Sequence, residues 1–226
     1  MSTPRLDRLI ARLCLLLRFF RLMLNSRRAA CILQITFNGY LAQTGWLRSM
    51  QEVKVQDSAG EPMPWYTIPF VDYLGPRIMR SWRIFEYGAG ASTFYYARRV
   101  DEVWTVEHDA AFAGELRPRL PGNVHLLVHP ENSDAYADAP GEMPAAADFI
   151  SVDGRDRVRC LACAVGRLSP AGVLVLDDSE RPEYASGIAT LRVAGFRSLE
   201  FWGIAAGTIY RKCTTVYYRD DNILGI

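Results

Sequence analysis

Apolar residues near the start of the chain recur at three- and four-residue intervals, which is the spacing of one helix face. This pattern predicts an amphipathic helix from about residue 4 to 25. The first 30 residues also hold seven arginines against one acidic residue, Asp7. The apolar stripe is expected either to pack on the rest of the chain or on a second copy as a homodimer, or to lie on an anionic membrane surface. Packing is the commoner of these arrangements.

From Trp82 onward, short apolar runs alternate with helical patterns. Strands that are buried on both faces and separated by helices predict an α/β fold with a doubly wound, mostly parallel sheet. Near the end of the chain two β-rich segments follow each other without a helix, which predicts a closing antiparallel pair. The predicted strands are 82–87, 102–106, 124–128, 148–152, 173–176, 196–202 and 213–218, and the predicted helices are 92–99, 110–120, 156–168 and 182–193.

A polar, turn-rich segment at 54–64 separates the N-terminal helical pattern from the strands. We therefore predict three parts: an N-terminal helical extension at 1–53, a linker and cap segment at 54–80, and a ligand-binding domain at 81–226. The aromatic residues at 65–74 either pack in the core ahead of the first strand or form a wall of a substrate pocket.

Composition limits the class of protein. Half of the residues are hydrophobic and 23% are charged, which is typical of a globular domain, and the net charge of +1 gives no general reason to expect nucleic acid as a partner. Five scattered cysteines do not form a disulfide framework, and Cys160 and Cys163 are expected to be buried side chains rather than metal or redox ligands. We find no convincing signal peptide, so the cytoplasm is expected, with membrane association as the alternative.

The loop at residues 86–93 (EYGAGAST) ends a predicted strand and opens a predicted helix. In doubly wound folds, backbone N–H groups and a helix dipole meet a ligand at this position. Gly88 and Gly90 let the backbone turn tightly and approach the ligand, and Ser92 or Thr93 can cap the helix. The carboxylate of Glu86 suits the ammonium of S-adenosylmethionine (SAM) better than the pyrophosphate of NAD.

A second acid, Glu107, ends the next predicted strand about 20 residues beyond the glycines, where a carboxylate can hydrogen-bond both ribose hydroxyls of an adenosine ligand. A surface glutamate that caps the following helix is the alternative. His108 adjoins this acid and is expected near the cofactor. Ser133 and Asp134 follow the third strand and are candidates for contacting adenine, unless they are simply loop residues.

Together the loop, the acid after the second strand and the terminal β-pair resemble class I SAM-dependent methyltransferases over roughly residues 80–220. This resemblance implies a seven-stranded sheet in the order 3-2-1-4-5-7-6 with its last strand antiparallel. It also implies that Glu86, Gly88 and Gly90 face the methionyl part, while Glu107 holds the ribose. Ser92 in the same loop is a further candidate for binding the cofactor. A third glycine that is frequent in the family's loop is Ser92 here.

Three further acids follow the fourth and fifth predicted strands: Asp153, Asp177 and Asp178. Since ligands bind outside the carboxyl ends of strands in such sheets, these acids are expected to converge on the methyl group of SAM. They resemble the acidic positions of catechol-type O-methyltransferases, which implies a bound Mg²⁺, although the lysine of that family's strand-four motif is absent.

The competing interpretation makes Asp153 a general base, with Asp177 and Asp178 paired to nearby arginines. Both interpretations leave Asp153 and Asp178 as candidate catalytic residues. The sequence thus predicts methyl transfer from SAM to an oxygen of a small-molecule or glycan acceptor. The alternatives are a NAD-binding oxidoreductase, and a non-catalytic SAM-binding or assembly protein recruited by its basic helix.

Overall fold

The computed structural model describes the backbone of residues 4–226 and all of their side chains except those of residues 4–7, 9, 35 and 36. Within this range the chain forms seven strands and ten α-helices. The strands are β1 (Arg83–Tyr87), β2 (Glu102–Glu107), β3 (Val124–Val128), β4 (Ala147–Val152), β5 (Leu168–Asp177), β6 (Arg197–Gly203) and β7 (Lys212–Tyr218). The helices are α1 (Pro4–Met23), α2 (Ser26–Phe37), α3 (Tyr40–Gln43), α4 (Trp46–Glu52), α5 (Ile68–Leu74), α6 (Ala91–Ala97), α7 (Ala110–Leu116), α8 (Asp134–Ala137), α9 (Arg157–Val165) and α10 (Ala185–Val193).

All seven strands join one sheet in the order β3-β2-β1-β4-β5-β7-β6, which confirms the predicted order. The sheet is mixed, however, rather than mostly parallel throughout. The pairings from β3 to β5 are parallel, whereas β7 pairs antiparallel with both β5 and β6. This closing arrangement arises because a short connection without a helix can only join neighbouring strands antiparallel.

The sheet is covered on both faces, because successive strand residues point to opposite sides. On one face Phe85, Ile150 and Leu174 belong to a core that includes side chains of α8, α9 and α10. On the other face Ile84 and Phe149 belong to a second core, which includes the aromatic residues of α5 and α6. The carboxyl ends of β1, β2, β4 and β5 therefore meet at one open edge of the sheet, between the two helical layers.

Two of the predicted boundaries that differ from the structure do so for local reasons. β5 begins at Leu168 rather than at residue 173, because a shift of pairing register with β4 between Ala147 and Phe149 accommodates Pro170, which has no N–H to donate. The helix predicted to reach residue 120 ends at Leu116 and continues as a short 3₁₀ turn through Pro118, because proline interrupts α-helical bonding.

The segment before β1 packs against the connection between β6 and β7. Thr67 and Ala205 form an isolated antiparallel β-bridge, and Ile68 N donates to Ile204 O at 2.8 Å. The Trp65 indole N–H donates to Ala206 O at 2.9 Å. This packing brings part of the predicted cap segment to the open edge of the sheet. The division of the chain at residues 53 and 80 stays a prediction.

In the N-terminal region, the predicted helix is confirmed as α1, which Leu24 and Asn25 connect to α2. No helix in the described part of the chain is long and apolar enough to cross a membrane. Cys160 and Cys163 lie on α9 as free thiols, Cys160 fully buried and Cys163 partly so, which supports the packing interpretation of this pair.

Candidate cofactor-binding and active site

The two glycines of the loop after β1 have different roles. Gly88 has a φ of +92°, and a Cβ there would lie 3.0 Å from the backbone of Gly154, so this position requires a glycine. Gly90 is extended, and a Cβ there would meet no protein atom within 4 Å. Since neither backbone conformation nor protein packing requires glycine at Gly90, its bare backbone is available for close approach by a ligand.

Glu86 lies fully buried beneath this loop and holds it through Thr93. Gly90 N donates to Thr93 Oγ1 at 2.9 Å, and Thr93 Oγ1 donates to Glu86 Oε2 at 2.6 Å. Thr93 therefore caps α6, one of the two caps predicted. Glu86 Oε1 is buried without a hydrogen-bond partner of normal geometry among the described atoms, although the Ser92 and Thr105 hydroxyls lie close to Glu86. Burial raises the pKa of Glu86 to about 8.

The raised pKa of Glu86 predicts a specific pH dependence of stability. Between the ordinary pKa of a glutamate and about 8, the folded chain holds a proton that the unfolded chain has lost, so the stability from this group falls as pH rises. Glu86→Gln removes this dependence. We expect its melting temperature to exceed that of the wild type by at least about 5 °C at pH 9, with little difference at pH 5.

The measurement is thermal unfolding of both proteins across that pH range. The matched control is Glu115→Gln, since Glu115 lies exposed on α7. A difference between Glu86→Gln and the wild type that stays constant with pH would contradict the buried, protonated state of Glu86.

Glu107 ends β2 and joins the loop to the adjacent turn. Its Oε1 accepts the N–H groups of His108 and Asp109 at 2.8 and 2.9 Å and lies 2.6 Å from His108 Nδ1, while Oε2 accepts Ala89 N at 3.2 Å. The side chain is 6% exposed. Asp109 rather than Glu107 caps α7, so the alternative interpretation of Glu107 as a surface cap is wrong.

A cavity of about 340 Å³ opens where these groups meet the carboxyl end of β4. Small-molecule sites commonly begin at roughly this volume. The cavity brings together many of the predicted site residues, and it is lined by Trp65, Gly88, Ala89, Gly90, Ala91, Ser92, Glu107, His108, Asp153, Gly154, Arg155 and Arg157. An adjoining cavity of about 400 Å³ shares Gly90 and Ala91 and has apolar walls that include Phe94, Phe112 and Leu116.

Ser133 and Asp134 do not line this cavity, so the structure does not support their predicted contact with adenine. The Ser133 hydroxyl caps α8, accepting Tyr136 N at 3.1 Å and donating to Pro130 O at 2.6 Å. The Asp134 side chain is exposed and pairs with Arg159. Both residues thus have local structural roles, which matches the alternative that they are simply loop residues. Tyr136 of α8 is fully buried and does not line the cavity either, but its hydroxyl accepts the N–H of the cavity residue Arg155 at 3.2 Å.

The three acids after β4 and β5 are brought together, but each one pairs with a cation. Arg157 Nη2 donates to Asp153 Oδ1 at 2.9 Å, and Arg157 Nη1 lies 3.6 Å from Asp178 Oδ2. Asp178 Oδ2 also lies 2.7 Å from Arg181 Nη2. Arg157 and Arg181 thus match the arginine-pairing interpretation, whereas Arg155 lies nearer to His108 and Glu131.

The remaining cation, Lys212 on β7, was not anticipated from the sequence. Its side chain is 5% exposed; Nζ donates to Asp177 Oδ2 and to Trp65 O, and lies 2.7 Å from Asp178 Oδ1. The pKa of Lys212 is raised because Asp177 and Asp178 outweigh the opposing effect of burial. Burial raises the pKa of Asp177, as does the nearby charge of Asp153, while Lys212 opposes this rise.

The donor set does not suit Mg²⁺. Asp177 Oδ1 accepts the Thr214 hydroxyl at 2.7 Å, so each carboxylate oxygen of Asp177 and Asp178 already has a hydrogen-bond or ion-pair partner. Over the described residues, no group of three potential ligands could hold a metal ion. The predicted metal site on Asp153, Asp177 and Asp178 is therefore not supported, because cationic side chains supply the neutralising charge. Asp178 does not line the cavity and is a charge partner rather than a candidate catalytic residue.

Asp153 differs from the other two acids because it faces the cavity, with 27% of its side chain exposed. Burial of most of the side chain raises its pKa, against the opposing charges of Arg157 and Lys212. Beside it, the Tyr66 hydroxyl bonds to the Ser151 hydroxyl and lies 2.9 Å from the Tyr96 hydroxyl. Ser151 interrupts the apolar pattern of β4, which is the one sequence signal that could have indicated this buried polar cluster.

Comparison with known proteins supports the architecture. No protein-family model matches the chain, and no curated protein matches it. Among solved structures, precorrin-6y C5,15-methyltransferase from Geobacter metallireducens GS-15 is similar with a TM-score of 0.50 and 14% identity, over 67% of this chain and 87% of its own. A SAM-bound amino pentose methyltransferase from Micromonospora echinaspora, involved in calicheamicin biosynthesis, is similar with a TM-score of 0.50 and 17% identity. The match covers 66% of this chain and 88% of that protein's chain. The chain therefore has the fold of class I SAM-dependent methyltransferases.

Proposed function

We propose that this protein is a SAM-dependent methyltransferase that acts on an oxygen of a small-molecule or glycan acceptor. The observation that carries the proposal is the cavity at the carboxyl ends of β1, β2 and β4, where the glycine loop, Glu107 and Asp153 face one another. In folds of this kind, ligands bind at that edge of the sheet.

The residues around the cavity suit the parts of SAM. Glu107 presents a carboxylate that can accept ribose hydroxyls, and Gly90 offers a backbone free of side-chain atoms. Glu86 does not line the cavity, but its unpartnered Oε1 lies beneath the loop, and we assign it as the acceptor of the methionyl ammonium. The positive charge of the bound ammonium would lower the pKa of Glu86 and so favour loss of the proton that the ligand-free carboxyl holds. His108 stands beside Glu107, and its ring borders the same cavity.

SAM supplies a methyl group already activated by its positive sulfonium, so the chain itself has to align the acceptor and remove its proton. We assign proton removal to Asp153, whose carboxylate faces the cavity. Arg157 holds Asp153 by its side chain and by its backbone oxygen, at 2.9 and 3.0 Å, and so fixes the direction of the carboxylate. The raised pKa makes Asp153 a stronger base than an exposed aspartate.

Room for the acceptor lies next to Asp153. A further cavity of about 300 Å³ shares Gly154, Arg155 and Arg157 with the first and extends to Arg181 and Tyr184. Trp65 lines the first cavity, so the aromatic segment before β1 contributes to a pocket as well as to the core. An aromatic ring, arginines and tyrosine together suit a hydroxylated, sugar-like acceptor. A fold relative that is named an amino pentose methyltransferase is consistent with this choice.

The proposal is tested by thermal shift with SAM, S-adenosylhomocysteine and NAD. We expect both SAM ligands at about 100 times their Kd to raise the melting temperature by roughly 5–10 °C, and NAD to raise it little. Glu107→Ala should lose most of this shift, whereas Glu115→Ala, an exposed change on α7, should keep it.

Turnover is then followed by mass spectrometry as S-adenosylhomocysteine released with a panel of sugars and small hydroxylated compounds. Stabilisation by NAD alone would replace the proposal with an oxidoreductase. Stabilisation by SAM without release of product across the panel would indicate a non-catalytic SAM-binding protein.

A further inference from the structure

Helix α1 presents a large apolar surface that no other described part of the chain covers. Ile10, Leu13, Leu17 and Phe20 follow one another along one face, and each is between 51% and 67% exposed. Leu15 and Leu22 are also exposed but lie on the opposite side of the helix. The expectation that this stripe packs on the catalytic part of the chain is therefore not met. A single helix with this much apolar area in water requires a partner.

Arginines border the apolar face and continue into α2. Arg21 lies on one side of the face and Arg12 on the other, at the positions from which long cationic side chains can reach polar headgroups. Arg27 and Arg28 occupy the first turn of α2, and both are exposed. A positive charge is unfavourable at a helix N-terminus, so helix stability gives no reason for these two arginines.

We propose that α1 and the first turn of α2 lie in the headgroup region of an anionic membrane. The apolar face would enter the boundary of the acyl chains, while the flanking arginines pair with lipid phosphates. The two helices carry seven arginines and one acidic residue, Asp7. Against a second copy of the chain, this same face would bring arginines of both copies together with almost no acid to pair them. Charge therefore favours the anionic membrane over self-association.

The test is flotation of the full-length protein with vesicles in a density gradient, where aggregates stay at the bottom. We expect the protein to float with vesicles of equal phosphatidylcholine and phosphatidylglycerol, and to remain unbound with phosphatidylcholine alone. The triple variant Arg12→Gln, Arg18→Gln, Arg21→Gln should lower the partition coefficient about 100-fold, at the usual strength of arginine–lipid attraction. A second variant, Leu13→Gln, Leu17→Gln, Phe20→Gln, should fail to float with the mixed phosphatidylcholine and phosphatidylglycerol vesicles, because it removes the apolar face.

The matched control removes the same charge elsewhere, through Arg80→Gln, Arg192→Gln and Arg211→Gln, which are exposed positions outside α1 and α2. This control should float like the wild type. Equal loss of flotation in both arginine triples would overturn the proposal, because only net charge would then matter. A wild-type chain that stays unbound and sediments as a stable dimer would assign the apolar face to a second copy instead.

Discussion

Replacing Asp153 with asparagine is expected to lower the rate of methyl transfer by about two to four orders of magnitude, which is the usual contribution of a general base. Asparagine keeps the shape of the side chain and can still accept the bond from Arg157, which lies 2.9 Å from Asp153 Oδ1. The affinity for S-adenosylhomocysteine and the melting temperature should therefore change little. The rate is measured in single-turnover reactions with an acceptor on which the wild type is active.

The pH dependence of the rate separates a base from a purely structural role. Because the pKa of Asp153 is raised, the wild-type rate should fall with decreasing pH already above the ordinary pKa of an aspartate. This limb should be missing in Asp153→Asn. Asp101→Asn is the matched control, since Asp101 is exposed and pairs with Arg80 away from the cavity. Unchanged turnover in Asp153→Asn would remove Asp153 from the chemistry.

Replacing Lys212 with methionine is expected to destabilise the fold by about 3–5 kcal/mol, because it leaves buried carboxylates without their cation. For a chain of this length, the melting temperature should fall by roughly 10–15 °C. The large effect follows from the burial of all three groups, since Lys212, Asp177 and Asp178 are each less than a tenth exposed. Thermal and urea unfolding at neutral pH measure the change.

A double-variant cycle shows whether the loss belongs to the ion pair. Adding Asp177→Asn to Lys212→Met removes one of the unpaired charges, so the double variant should be less destabilised than the sum of the single changes. Lys54→Met is the matched control, because Lys54 is the other lysine of the sequence and is exposed. Additive effects in the cycle would mean that Lys212 stabilises the fold without its bond to Asp177.

Much of the fold and part of the site could be predicted because their signals are local. Alternation of short apolar runs with helical patterns indicated the first five strands, and the β-rich end of the chain indicated the last two and their antiparallel closure. The position of Asp153 after β4 was sufficient to predict that it would face the edge of the sheet. In each case the sequence pattern that carries the prediction lies within one strand or helix and the segments on either side of it. No contact between residues distant in the sequence is needed to interpret that pattern.

Other features depended on contacts between distant residues. Three acids near one another indicated that positive charge is required, and a metal ion was one candidate for it. In the structure the positive charge comes instead from side chains, namely Lys212 of β7, Arg157 of α9 and Arg181 of the loop after β5. Lys212 is 35 positions away from Asp177, and no pattern near the acids indicates it. Ser133 was assigned to the cofactor because it follows a strand, yet its hydroxyl caps its own helix.

The sequence by itself determined the existence of the strands, the glycine loop after β1 and the acid at the end of β2, because strand period and turn chemistry act over a few residues. The order of the strands was implied only by the resemblance to class I SAM-dependent methyltransferases. Only the tertiary structure decided which carboxylate stays open to a ligand. Asp153 and Asp178 look equivalent in the sequence, but packing of β7 against β5 buries Asp178 beside Lys212 and leaves Asp153 at the cavity. The physical reason is that burial and charge pairing are set by neighbours in space, and those neighbours come from elements far apart in the chain.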